Sequence, residues 1–426
     1  MEQNKILIKK AKIIDPQSPF NGQTLDILIE EDKISSIAPN IEDPLAQEFS
    51  SENLCVSPGW FDLRANFCDP GFEEKETIES GVNAALFGGF TGGAISPETN
   101  PVVDSKAIVE YIYKKAEDLP VNIYPMGAFS KKLEGEELSE MFDMHQAGAI
   151  AFSHGKSCPS NLSLLKLALQ YQKDFAPPLH ISPLDSSLSA RGQMHEGETS
   201  TFLGLKGIPS LAEEISVQNI LHLADYAEAA VHFTGISALE TVRILKEAQE
   251  KGQAFTSDVC LANLCFTDKE LETYDTRFKV LPPLRTAKDR DELIKGINEG
   301  VIHAISSDHY PESIENKMCE FDHASFGIEA LEVFIGALGK ALDGKVSWDR
   351  IIELIAINPR RILGIEIPVI QEGNWAELTF FNPEKEWILN KTDIQSKSTN
   401  NPFIGKQLKG KALGIFNEGL MIWLDN

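Results

Sequence analysis

Pro58-Gly59-Trp60-Phe61-Asp62-Leu63-Arg64-Ala65-Asn66 is the stretch on which the reading of this chain turns. It is a short, mostly apolar run that ends on polar residues, as a barrel strand does where it enters a site. Arg64 and Asn66 stand at that end. Arginine is a permanent cation with no lone pair to give. A metal that needed this strand for ligands would find none at position 64.

Seven further runs of the same kind follow. They are Phe90–Ser96, Asn122–Ala128, Ala149–Ser153, Pro178–Ser182, Ala230–Ser237, Ala254–Cys260 and Ala304–Asp308. Helical patterns lie between several of them. Ser237-Ala238-Leu239-Glu240 reads as a capping box. It would open a helix with apolar residues at Leu239, Val242, Leu245 and Ala248, closed by Gly252. Ser210-Leu211-Ala212-Glu213 reads as a second capping box. Eight strands with intervening helices point to an α/β fold of the (β/α)8, TIM-barrel type, with a doubly wound open sheet as the alternative.

Outside the barrel the pattern changes. Residues 5–14 and 25–38 alternate apolar and polar, as half-buried antiparallel strands do. Residues 376–381, 412–416 and 420–423 look similar. The two ends are expected to pair into one small composite β-sandwich, residues 1–55 with 365–426, around a barrel at 56–364. Gly88-Gly89-Phe90-Thr91-Gly92-Gly93 lacks both phosphate-loop spacings and reads as close backbone packing.

Composition sets outer bounds. With 426 residues the chain can bury a large core. A formal net charge of −25 disfavours nucleic acid or an anionic membrane as partner. The six cysteines form no CxxC pair, which fits a reduced, cytoplasmic protein. Residues 1–10 carry no apolar leader core, and no apolar run is long enough to span a bilayer.

Several segments together carry a resemblance. Asp69-Pro70-Gly71-Phe72-Glu73 followed by Lys75-Glu76-Thr77-Ile78-Glu79-Ser80-Gly81 is one of them. Others are Gly88-Gly89-Phe90-Thr91, Asn100-Pro101-Val102, Tyr274-Asp275-Thr276 and Phe278-Lys279-Val280. Pro282-Pro283-Leu284-Arg285-Thr286, Phe326-Gly327-Ile328 and Asn358-Pro359 complete the set. In these the chain resembles dihydroorotases of the multifunctional-complex type, in the amidohydrolase superfamily. The resemblance implies a distorted barrel with a composite β domain. It implies a zinc hydrolase of pyrimidine biosynthesis that opens a cyclic amide, with zinc polarising the carbonyl and activating water.

Set against that family, the ligand positions of this chain depart from the pattern. The family's His-x-His falls on Arg64 and Asn66. Its strand-four carboxylate meets Phe152-Ser153-His154-Gly155. Its strand-five and strand-six histidines fall on Ser182 and Gly235. Only its strand-eight aspartate remains, as Asp308, a remnant candidate for catalysis. The substrate positions fall on Cys68, Glu98, Leu281 and Glu312. A thiol and carboxylates there repel an anion rather than hold one. Asp308 is expected to pair with Arg64 across the pocket floor, which would leave no buried anion uncompensated. His154, Cys158, His180, Cys260 and His309 are the residues from which a relocated metal site would have to be built. His232 and His303 read as hydrogen-bonded core residues.

Three functions stay open at this level. One is a non-catalytic dihydroorotase-like protein without metal or cofactor. The resemblance adds a scaffold role for aspartate transcarbamoylase, and a homo-oligomer is expected. The second is an active amidohydrolase with an altered metal site. The third is a small-molecule binding protein using the emptied pocket.

Overall fold

A computed structural model describes residues 5–175 and 177–424. Residues 1–4, counted above with the composite β domain and in the leader reading, lie outside the described residues, as do 176, 425 and 426. The N-terminal segment supplies β1 (Lys5–Ile13), β2 (Thr24–Glu30), β3 (Lys33–Ala38), β4 (Gln47–Phe49) and β5 (Cys55–Pro58). The middle supplies β6 (Trp60–Ala65), β7 (Phe90–Ile95), β8 (Asn122–Pro125), β9 (Gly127–Ala128), β10 (Phe152–Ser153) and β11 (Leu179–Ile181). After these come β12 (Met194–His195), β13 (Gly207–Ile208), β14 (Val231–Phe233), β15 (Phe255–Cys260) and β16 (Ala304–Ser306). The C-terminal segment adds β17 (Leu378–Ile388), β18 (Gln407–Asn417) and β19 (Leu420–Trp423).

Strands from both ends of the chain form one eight-stranded sheet, in the order β19-β18-β17-β5-β1-β2-β3 with β4 beside β1. The junction is β5 against β17, antiparallel, with Val56 opposite Phe380. Alternation along β1 and β2 puts Ile6, Ile8, Ile27 and Ile29 into a separate apolar core with Leu378, Phe380 and Phe416. Each such side chain contributes about 1.5–3 kcal/mol when removed from water.

The remaining strands are parallel. One run is β6-β7-β8, and the other is β9-β10-β11-β14-β15-β16. β8 and β9 are separated only by Met126, whose N–H donates to Ile95 O. The two runs meet where Ala65 bridges His309 and Asn66 N donates to His309 O at 2.8 Å. The eight apolar runs of the sequence therefore each contain a strand of one closed ring, and the open-sheet alternative falls. Alternation along β6 sends Asp62 and Arg64 to one face and Phe61 and Leu63 to the other, where Phe61 and Leu63 pack with Ile362 and Leu363. Among the described residues no helix is long and apolar enough to cross a membrane.

Neither expected capping box forms. The helix Leu239–Glu250 starts after Ala238, and the helix Leu211–Ala227 after Ser210, with no side-chain cap at either. Ser237 and Glu213 are drawn instead into one buried network. Glu213 Oε1 accepts from Ser237 N and Ala238 N, while Arg285 Nη2 donates to Glu213 Oε2 at 3.1 Å. A buried guanidinium competes for these groups more strongly than a helix end does.

Candidate functional site

The C-terminal ends of the ring strands converge on Arg64. Because β6 and the segment after β16 are neighbours, Arg64 and Asp308 face each other. Arg64 Nη2 lies 2.9 Å from Asp308 Oδ1, with side-chain exposures of 7% and 3%. The ion pair expected from the sequence is present. Arg64 Nη1 donates to Ser182 Oγ at 3.2 Å, and Nη2 to Cys260 Sγ at 3.1 Å. Arg64 Nε has no partner. Burial opposes the charge on Arg64, yet Asp308 beside it holds the guanidinium protonated above even its usual range. Burial pushes the Cys260 thiol up, so it stays neutral. Asp308 sits at φ 51, in the left-handed region that aspartate tolerates better than most residues.

A second cation was not legible in the sequence. Lys156 Nζ lies 2.9 Å from Asp308 Oδ2 and donates to Leu281 O at 3.0 Å, over the Tyr310 ring at 4.4 Å. Lys156 follows the Phe152-Ser153-His154-Gly155 turn, one residue shorter than the family pattern. That shortening was the only available signal. Glu98 supports the turn, accepting from Lys156 N at 3.2 Å and from Ser96 Oγ at 2.9 Å.

The other sequence candidates fall into place around this centre or away from it. Asn66 Oδ1 is occupied by Cys68 N at 2.8 Å. Cys68 is buried, and burial pushes its thiol up too. Leu281 contributes its carbonyl to Lys156. Glu312 pairs with Lys75 at 3.1 Å and accepts from Asn316 at 2.7 Å. His154 turns aside, with Nδ1 2.7 Å from Ser157 Oγ and its ring 5.2 Å from that of Phe129.

Below the arginine, His180 stacks on His232 at 4.4 Å. His232 contacts Thr256 Oγ1 at 2.8 Å and Asp258 Oδ2 at 3.0 Å, as a core histidine should. Burial alone would raise the Asp258 carboxyl, but His232 and then Arg64 hold it down at about 2. Burial drives His180 well below the usual imidazole range, so it is neutral. His303 likewise bonds the backbone, through Ser257 N at 3.2 Å.

Space at the centre is already taken. A side chain added at Gly235 would place its Cβ 2.9 Å from Arg64 Nη2 and 3.2 Å from Cys260 Sγ, at a φ of +69. The cavity bounded by Lys156, Ser182, Glu213, Thr234, Gly235 and Pro282 measures about 20 Å³, room for one water. Among the described residues no group of three or more His, Cys, Asp or Glu side chains is placed to hold a metal ion. His154, Cys158, His180, Cys260 and His309 are not brought together. What the arrangement does chemically is neutralise: two cations share one buried carboxylate.

Residues 54–241 match a family described as dihydro-orotase-like. Along nearly its whole length the chain is similar to curated dihydroorotases. It is 36% identical to that of Syntrophus aciditrophicus over 429 residues, covering 99% of this chain and 100% of the relative. It is 38% identical to that of Caldicellulosiruptor saccharolyticus over 425 residues, covering 99% of each. Among solved structures, L-hydantoinase from Arthrobacter aurescens superposes with a TM-score of 0.86 at 20% identity, covering 98% of this chain and 96% of that one. Dihydropyrimidinase from Brevibacillus agri superposes with a TM-score of 0.82 at 18% identity, covering 98% and 95%. The fold is therefore that of the amidohydrolases.

Proposed function

This chain belongs to the dihydroorotase family, and we propose that within it the chain is a non-catalytic member, serving pyrimidine biosynthesis as a scaffold for aspartate transcarbamoylase. The observation that carries this reading is the Arg64 guanidinium 2.9 Å from Asp308, in the middle of the barrel mouth. Zinc, which the family resemblance implies, does not fit the residues present. Catalytic zinc needs three protein ligands with free lone pairs and an open position. Arg64 has none to offer, Gly235 has no side chain, and Asn66 Oδ1 is engaged by Cys68 N. Asp308 is held by two cations, and the guanidinium fills the space a ligand at 235 would need.

Without such a centre, neither an activated water nor a polarised carbonyl is available to Asp308. The cavity against Gly235 also offers no room for a substrate ring, since it takes about one water. That volume speaks equally against a small-molecule receptor built on an emptied pocket. Meanwhile the chain keeps 99% to 100% of its relatives' length. The surfaces outside the mouth are the part left to carry a function, which supports a role in assembly.

Elemental analysis of protein purified without chelator tests the reading, together with a dihydroorotate assay in added zinc. Neither stoichiometric zinc nor turnover is expected, and finding both overturns the proposal. Co-elution with aspartate transcarbamoylase from the same organism tests the scaffold role. Separate elution at micromolar concentrations of each counts against it.

A further inference from the structure

The connection between β17 and β18 is long, residues 389–406. Connections of this length inside a compact fold usually have a task. Here residues 395–401 are strapped over the barrel rim by three buried glutamates. Gln395 N and Ser396 N donate to Glu332 Oε1. Ser396 Oγ and Lys397 N donate to Glu76. Asn401 Nδ2 donates to Glu329 Oε2, and Glu329 N to Asn400 O at 3.2 Å. The strap in turn holds rim loops: Ser398 Oγ donates to Glu312 O at 2.9 Å, and Lys397 Nζ to Glu73 O.

Two of these carboxyls face each other. Glu329 Oε1 and Glu332 Oε2 receive no hydrogen from any other group, and the two side chains interact directly. Both residues are more than nine-tenths buried. The titratable groups facing them are Glu76 and His309. His309 Nδ1 lies 4.0 Å from Glu329 Oε1 but accepts from Ala330 N at 3.2 Å, and its Nε2 lies 3.5 Å from Glu76. His309 therefore gives Glu329 no hydrogen. Two apposed carboxylates without a donor between them are stable only with one proton shared.

We propose that the 395–401 strap is a proton-operated latch, seated on the barrel rim while Glu329 and Glu332 share one proton and lifting when that proton is lost to solvent. Lifting frees the rim loops at Glu73 and Glu312. Burial, then Glu332, raises the Glu329 carboxyl far above the usual glutamate range; burial also raises Glu332, against the amides of Ser396 and Gln395, which hold it down. The seated strap holds a proton that the lifted one releases. Stability of the seat is thus complete below the ordinary glutamate pKa and falls as pH rises towards the raised value of Glu329. Glu76 acts in the opposite sense. Burial alone would raise it, but His309, Ser396 and Ser80 hold it down, so its grip fails only in acid.

Amide hydrogen exchange on the full chain, corrected for intrinsic rates, tests the latch between pH 6 and pH 8. Opening of a segment that releases one proton rises tenfold per pH unit, so protection at Gln395, Ser396 and Lys397 should fall about a hundredfold. The helix Leu239–Glu250 serves as the internal reference and should not follow. In Glu329→Gln the amide can accept from Asn401 and donate to Glu332, and the fall should vanish. Should that variant fail to fold, Glu332→Gln makes the reciprocal pair. Constant protection in the wild type, a fall shared with the reference helix, or a slope surviving in the glutamine variant overturns the proposal.

Discussion

Two buried arginines each bond a residue that lines the small cavity at the barrel mouth, Arg64 to Ser182 and Arg285 to Glu213, and they are not built alike. Arg285 is complete. Its Nε donates to Ser237 at 2.7 Å, its Nη1 meets His195 at 3.1 Å, and its Nη2 reaches Glu213 at 3.1 Å. Arg64 has a closer carboxylate, at 2.9 Å, yet its Nε is unpartnered and Asp308 Oδ1 receives no aligned hydrogen bond. Arg285 is an organised part of the fold that also displaced two helix caps. Arg64 is a charge lodged in a space with few groups shaped for it. Buried ion pairs differ in worth according to whether their remaining donors and acceptors are satisfied.

The comparison can be broken by measurement. Arg285→Met strands Glu213 without a counter-charge and should cost about 3–5 kcal/mol, read from the urea midpoint at constant slope. Arg64→Met should cost less, about 1–2 kcal/mol, because Lys156 still neutralises Asp308 and the methionine packs against Cys260. Equal losses would mean that the two centres are equivalent after all. Acid should then sharpen the difference below the arginines. Asp258 is held at about 2 by His232, so its contribution is present above its ordinary value of 3.8 and is lost as pH falls through about 2. Replacing His232 with glutamine should remove that acid limb from the stability profile, and an unchanged limb would place its origin elsewhere. The smallest effect expected is none at all. Arg64→His with Asn66→His should yield neither stoichiometric zinc nor dihydroorotate turnover, since Ser182 and Gly235 still supply no imidazole.

Much of this was written plainly in the chain. Eight short apolar runs carry their own strand signal, because parallel barrel strands are buried on both faces. The Arg64–Asp308 pair was legible because a buried aspartate without metal demands a cation, and only one stood on the neighbouring strand. Lys156 was hidden by a turn shortened by one residue, which shifts every expectation beyond it. The capping boxes at Ser210 and Ser237 failed for the converse reason. A local pattern of four residues does not report that Arg285, 48 residues beyond Ser237, claims its hydroxyl. The strap was least visible of all, since Ser396 and Glu76 are 320 positions apart and Ser396 belongs to no motif.

Gly235 makes the order of substitutions at the mouth matter. A histidine restored there meets Arg64 before it meets anything else. A histidine restored at 64 alone leaves a void beside a glycine and still lacks the remaining imidazoles. Each single step back is uphill or idle, so the path to a metal enzyme requires concerted changes on several strands. Substitutions taken one at a time at this mouth therefore act like keys on a lock that turns only when several are in place.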